Sequence, residues 1–117
     1  MPRKALIYLA DLTHTGLQVA TEGFPLNIGL VASHTLRGLP GRVEIRLFKY
    51  PQKLIDALKS EPSDIVGCSN YVWNSNLSEW MLGLAKRFNP GVVTVIGGTN
   101  YPFDAAGQLE FLKTRPN

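Results

Sequence analysis

Four short apolar runs lie far apart in this chain, with helically patterned stretches between them, and that spacing constrains the fold more than any other feature. Residues 4–10 form a continuous apolar run closed by Asp11, as expected of a strand buried on both faces. Residues 43–49 alternate apolar and charged with period two, which suits an edge strand with one wetter face. Residues 64–69 and 92–97 are short and β-branched, and the interior of a parallel sheet explains them best. Crossovers of this length imply parallel pairing in right-handed βαβ units.

The intervening segments read as helices. Leu77, Met81, Leu84, Ala85 and Phe88 fall on one stripe, with Asn76 and Glu79 resembling a capping box and Pro90-Gly91 as the stop. Lys86 and Arg87 oppose the dipole at its end. Residues 51–59 place Leu54, Ile55 and Leu58 inward, and Pro62 ends that helix. In residues 26–37 the apolar positions Ile28, Leu30, Val31, Ala32 and Leu36 cover much of the circumference, so that helix is expected to be well buried. Asp104 fits an N-cap for a last helix through Ala105, Leu109 and Leu112, with Pro116 marking its stop.

These elements make an α/β fold: a small doubly wound parallel sheet, Rossmann-like, with the flavodoxin-like strand order 2-1-3-4. That order leaves the fourth strand at an edge, where an apolar strand would expose unpaired backbone. A fifth strand beyond Asn117 is therefore expected.

With 117 residues the chain is read as one domain, residues 1–117. Its formal charge of +3 is small, and Lys53, Lys59, Lys86, Arg87 and Lys113 all fall on predicted helices, so they read as solvated faces rather than a nucleic-acid surface. No apolar stretch approaches the roughly 20 residues that a membrane span needs, and Met1-Pro2-Arg3-Lys4 leads into no signal-peptide core, which places the protein in the cytoplasm with no membrane partner. Cys68, the sole cysteine, is read as a packing residue, and it excludes an intramolecular disulfide or a cysteine-held cluster. His14 and His34 have no metal-ligand spacing, and His34 reads as structural within the first helix. Neither a dinucleotide fingerprint nor a P-loop is present, and the third strand ends Gly67-Cys68-Ser69, without the carboxylate of a phosphoacceptor site. A self-contained enzyme is not expected.

The strand ends carry the informative chemistry. Residues 67–74 and 97–102 each leave an apolar run at glycine and turn polar and aromatic. In an open parallel sheet, ligands bind beyond the carboxyl ends of the strands. The first loop, residues 11–25, far exceeds the usual βα connection of about two to six residues. It contains His14 and two interior glycines, and both ligand contact and a solvated lid remain open. Tyr71, Trp73, Tyr101 and Phe103 suit either a pocket for a flat ring or packing under a further domain, and their exposure would promote self-association.

Residues 24–29, 64–74 and 95–102 together resemble the N-terminal cobalamin-binding-like domain of cobalamin-dependent, class B radical S-adenosylmethionine enzymes, a resemblance spanning nearly the whole chain. It implies a flavodoxin-like sheet that presents cobalamin to a following barrel, where an iron–sulfur cluster and S-adenosylmethionine reside. The barrel's three-cysteine motif is absent, so the resemblance implies a fragment whose partner is its own C-terminal barrel. Related cobalamin domains that ligate cobalt through histidine show Asp-x-His-x-x-Gly after strand one. Here Asp11-Leu12-Thr13-His14-Thr15-Gly16 keeps the Asp and Gly but places His14 one position late. The family's Ser-x-Leu segment corresponds to Ser69-Asn70-Tyr71, with Tyr71 departing, and its glycine pair to Gly97-Gly98, followed by Thr99. His14, Thr15, Gly16, Ser69, Asn70, Tyr71, Gly97, Gly98 and Thr99 are thus the implied cofactor-binding residues. The alternative is a degenerate domain that keeps the fold and docks its barrel or another protein without a cofactor; a flavin nucleotide is a weaker third reading.

Overall fold

The structure, a computed structural model, describes residues 3–13 and 26–115. Strands β1 (Ala5–Ala10), β2 (Val43–Phe48), β3 (Ile65–Ser69) and β4 (Val93–Gly97) alternate with helices α1 (Leu26–Gly38), α2 (Pro51–Ser60), α3 (Ser75–Phe88) and α4 (Ala105–Lys113). All strand pairs are parallel and the order is β2-β1-β3-β4, so the doubly wound order expected from the spacing is the one observed. No described helix is long and apolar enough to cross a membrane.

Register assigns the faces. Tyr8 lies opposite Arg46 and Val66, and Val66 opposite Thr94, so Leu6, Tyr8, Ala10, Val66 and Cys68 share one side of the sheet. That side meets Leu54 and Leu58 of α2 and Met81, Leu82 and Ala85 of α3 to form the core. Each large aliphatic side chain buried there contributes roughly 1.5–3 kcal/mol. Tyr8 is wholly buried, packs edge-on to Phe48 at 5.1 Å, and donates its hydroxyl to the Glu61 carbonyl oxygen, so its polar end is satisfied. Burial raises its pKa above the ordinary tyrosine value. Cys68 is buried in the same core, as its position in the third strand suggested, and burial pushes its thiol up to about 12.

The opposite side of the sheet is different. It carries Ile7, Leu9, Ile65, Gly67, Val93 and Val95, and α1 packs against its β1 and β2 half. The β3–β4 half is more open, and Val93 and Val95 are each more than half exposed. β4 pairs with β3 alone, so within the described residues it is the edge strand that its apolar sequence argued against.

Several local expectations are corrected. Only Ile28 and Ala32 of α1 are buried, while Leu26, Leu30, Val31 and Leu36 are exposed, because the helix has the sheet on one side only. His34 is likewise exposed on α1 rather than packed. The capping box at Asn76 and Glu79 does not form: α3 begins two residues earlier, at Ser75, with Asn74 as its N-cap position, and Glu79 pairs instead with Arg115. The buried face of α3 is Ser78, Met81, Leu82 and Ala85, rotated from the stripe of larger residues, since Ser78 is held to β3 by its hydroxyl donating to the Ser69 carbonyl at 2.8 Å. The Asp104 cap is present, its carboxylate accepting from the Gly107 amide.

Candidate functional site

The carboxyl ends of β1, β3 and β4 converge on an apolar cavity of about 360 Å3 on the α1 side of the sheet. Its sheet wall is Leu9, Gly67 and Val95, and α1 contributes Ile28 and Val31. Gly67 lets the Leu9 side chain lie close against β3: a Cβ there would stand 2.9 Å from the Leu9 Cδ2 atom and 3.8 Å from the Val95 Cβ atom. The rim is formed by the loops leaving β3 and β4, through Ser69, Tyr71, Gly97, Gly98 and Thr99.

Those two loops are clasped together. The Asn70 amide donates to the Gly97 carbonyl at 2.6 Å, and the Asn100 amide donates to the Asn70 carbonyl at 3.1 Å. Their side chains repeat the exchange, Asn70 Nδ2 donating to the Asn100 carbonyl at 3.2 Å and Asn100 Nδ2 to Asn70 Oδ1 at 3.3 Å. Close approach of the backbones is permitted by Gly98, which adopts φ +136° and whose absent Cβ would lie 2.7 Å from the Asn70 carbonyl oxygen.

Behind the rim sits a buried polar network. Ser69 Oγ donates to the Asp11 carboxylate at 2.7 Å and accepts from Asn74 Nδ2 at 3.1 Å. Asn74, fully buried, also donates to the Leu12 carbonyl at 3.1 Å and accepts from the Tyr71 amide at 2.8 Å. One side chain thereby fixes the end of β1, the end of β3 and the start of α3, and such satisfied networks specify a single loop geometry. At the mouth, the Asn27 side-chain amide donates to the Tyr71 hydroxyl, joining α1 to the β3 loop.

The structure brings Ser69, Tyr71, Gly97, Gly98 and Thr99 around one cavity. Asn70 is buried behind it and its side chain is committed to Asn100, which makes it a loop fastener rather than a lining group. His14, Thr15 and Gly16 lie outside the described residues, as does the rest of the first loop from residue 14 to 25. The aromatic quartet divides: Tyr71 stacks on Trp73 at 4.6 Å, Tyr101 sits edge-on to Phe111 at 5.1 Å, and Phe103 is wholly exposed. Sequence reasoning did not assign roles to Asn74, Ser78 or Asn100, nor to Val31 as a cavity wall. Among the described residues no group of three or more His, Cys, Asp or Glu comes together as a metal site.

An apolar concavity of this size is within the roughly 300–1,000 Å3 of small-molecule pockets, and it lies where a parallel sheet places them. It can hold a flat, largely apolar group beneath a polar rim. No family model matches the chain, and no curated protein matches it. Among solved structures, the crystal structure of a cobalamin-binding protein from Desulfitobacterium hafniense DCB-2 is similar, with TM-score 0.56 and 15% sequence identity, covering 98% of this chain. This chain spans 60% of the length of that one, and the likeness establishes a shared α/β flavodoxin-like fold.

Proposed function

We propose that this chain is a corrinoid-binding module, which holds cobalamin at the carboxyl ends of its strands and presents it to a catalytic barrel of the radical S-adenosylmethionine type. The observation that carries this reading is the apolar cavity beneath the β3 and β4 loops, floored by Gly67 and rimmed by Ser69 and the Gly97-Gly98 pair. The residues present fit such a group, since the lining is hydrocarbon at Leu9, Ile28, Val31 and Val95, and the open space at Gly97, where no atom lies within 4 Å of a Cβ position, permits close approach to the backbone. The likeness in fold to a cobalamin-binding protein of Desulfitobacterium hafniense DCB-2 supports the same reading.

When bound, a corrinoid supplies cobalt chemistry, either methyl carriage or one-electron transfer. This chain's own residues bind and orient. Leu9, Val31 and Val95 offer the cavity an apolar lining, and the Asn70–Asn100 clasp holds both loops in position around its mouth. Asn74 fixes the Ser69 hydroxyl and the Tyr71 amide, so the rim is set before any ligand arrives. The iron–sulfur cluster and S-adenosylmethionine belong to the barrel, which this reading places in a longer protein of which residues 1–117 are one domain.

A titration of the purified chain with hydroxocobalamin, followed by visible absorbance, tests the assignment. Saturable binding is expected, lost in Gly97→Val, whose added carbons enter open space at the cavity, and in Ser69→Leu. Binding retained in His14→Ala would show that the histidine is not required as a ligand. No binding to the wild-type chain would refute the reading and favour the second one, a docking scaffold without cofactor, to which the exposed apolar surface of Leu30, Val93 and Val95 points.

A further inference from the structure

Two side chains at the mouth of the cavity keep hydrogen-bonding atoms that the fold does not use. Asn27, in the first turn of α1, donates through Nδ2 to the Tyr71 hydroxyl oxygen. That bond leaves the Tyr71 hydroxyl proton and the Asn27 Oδ1 atom without a partner among the described residues. A donor and an acceptor thus stand side by side, and the bond between the two residues fixes which is which. The pair is held in place. Tyr71 stacks on Trp73 with ring centroids 4.6 Å apart and planes 12° from parallel, and its backbone amide donates to the buried Asn74 side chain at 2.8 Å. Ile28, next to Asn27, is buried and anchors that turn of α1. Tyr71 also stands where the resembled Ser-x-Leu pattern has leucine, so its hydroxyl is not supplied by that pattern. Among the described residues lining the cavity none is acidic or basic. The Asp11 carboxylate lies behind the rim, where it accepts from Ser69 at 2.7 Å.

Resting on the corrinoid reading, we propose that Asn27 and Tyr71 form a seat for one carboxamide on the edge of the corrin, and select it over the corresponding carboxylic acid. A corrin carries carboxamide side chains around its edge, and each offers a carbonyl acceptor beside N–H donors. Tyr71 donates its hydroxyl to the carbonyl, and Asn27 accepts an amide proton at Oδ1, so each unused atom meets its opposite. An ionised carboxylate offers acceptors alone. One of its oxygens takes the Tyr71 proton, but the other faces Asn27 Oδ1 with no proton between them. The lining supplies no cation to offset the charge, and a charge brought against an apolar wall without a partner is costly. Asn27 and Tyr71 are therefore specificity-determining residues of this site, and neither belongs to the buried core.

The experiment titrates the purified chain, by calorimetry, with hydroxocobalamin and with a set of its monocarboxylic acids, in each of which a different edge carboxamide is hydrolysed. Because the members share one charge and differ only in where it sits, each is a control for the others. One of them is expected to bind about fivefold or more weakly than hydroxocobalamin, the scale of one net hydrogen bond, while the rest bind as the parent does. Asn27→Leu should bring that member level with the parent. Tyr71→Phe should weaken hydroxocobalamin itself by about fivefold. Phenylalanine keeps the ring that stacks on Trp73, and Asn27 is exposed at a helical position where leucine is the better helix former, so both variants should fold, which their urea midpoints check. Equal affinity for every member of the set, a penalty that survives in Asn27→Leu, or unchanged binding by Tyr71→Phe would overturn the amide seat while leaving corrinoid binding intact. Failure of hydroxocobalamin to bind the wild-type chain would refute the corrinoid reading itself, and this proposal with it.

Discussion

Replacing Gly98 by alanine should destabilise the protein by about 2–4 kcal/mol, whereas the same change at Gly97 should move stability by less than about 1 kcal/mol. The two glycines are adjacent and indistinguishable by residue type. At Gly98 the backbone has φ +136°, a conformation that costs other residues about 1–3 kcal/mol. A Cβ there would also stand 2.7 Å from the Asn70 carbonyl oxygen and 3.0 Å from its amide nitrogen. Those atoms are backbone, and both are hydrogen-bonded across the loops, so relief requires stretching bonds worth about 1 kcal/mol each. At Gly97 no atom lies within 4 Å of the added carbon. Urea unfolding of both variants, read as a change in midpoint at constant slope, measures the difference. A Gly98→Ala cost below about 1 kcal/mol, or equal costs at the two positions, would refute the assignment of strain and clasp to Gly98.

Asn74→Ala removes hydrogen bonds to the Leu12 carbonyl, Ser69 Oγ and the Tyr71 amide from a wholly buried site, and should cost about 2–4 kcal/mol in the same urea assay. Asp64 accepts from both guanidinium nitrogens of Arg3 and from the Leu6 amide, and the Arg3 hydrogen bond, followed by that amide, lowers its pKa from 3.8 to about 2. Because the folded state favours the carboxylate, this contribution is complete above pH 4 and is lost as pH falls towards 2. The stability gap between wild type and Asp64→Asn, measured by urea midpoints at each pH, should close across that window. The Cys68 thiol, buried with its pKa at about 12, should resist a thiol-reactive dye at pH 8 in the folded protein and react promptly in denaturant, as a stopped labelling assay will show.

The sheet was legible because its signals are local. Residues 4–10 and 64–69 could be little other than buried parallel strands, and the alternation of Glu44 and Arg46 with apolar neighbours marked β2 as an edge. The burial of α1 was not legible. Its apolar residues announce that something covers them, but composition carries no information on whether that cover lies within the described chain. Ser78 and Asn74 escaped notice for the opposite reason. A polar residue near a helix start reads as solvated or capping, and only the arrival of β1 and β3 beside it turns it into a buried anchor. The cavity itself was visible as two glycine-marked strand ends, while its third wall required knowing that Val31 of α1 leans over them.

The reciprocal bonding of Asn70 and Asn100 has a practical consequence for anyone who recombines such domains. Two segments that are separate in sequence behave as one mechanical part, since each supplies the other's hydrogen-bond partners. A graft of either loop alone into a related scaffold would arrive with half its fastenings, and a graft of residues 69–74 together with 97–100 would bring the complete unit.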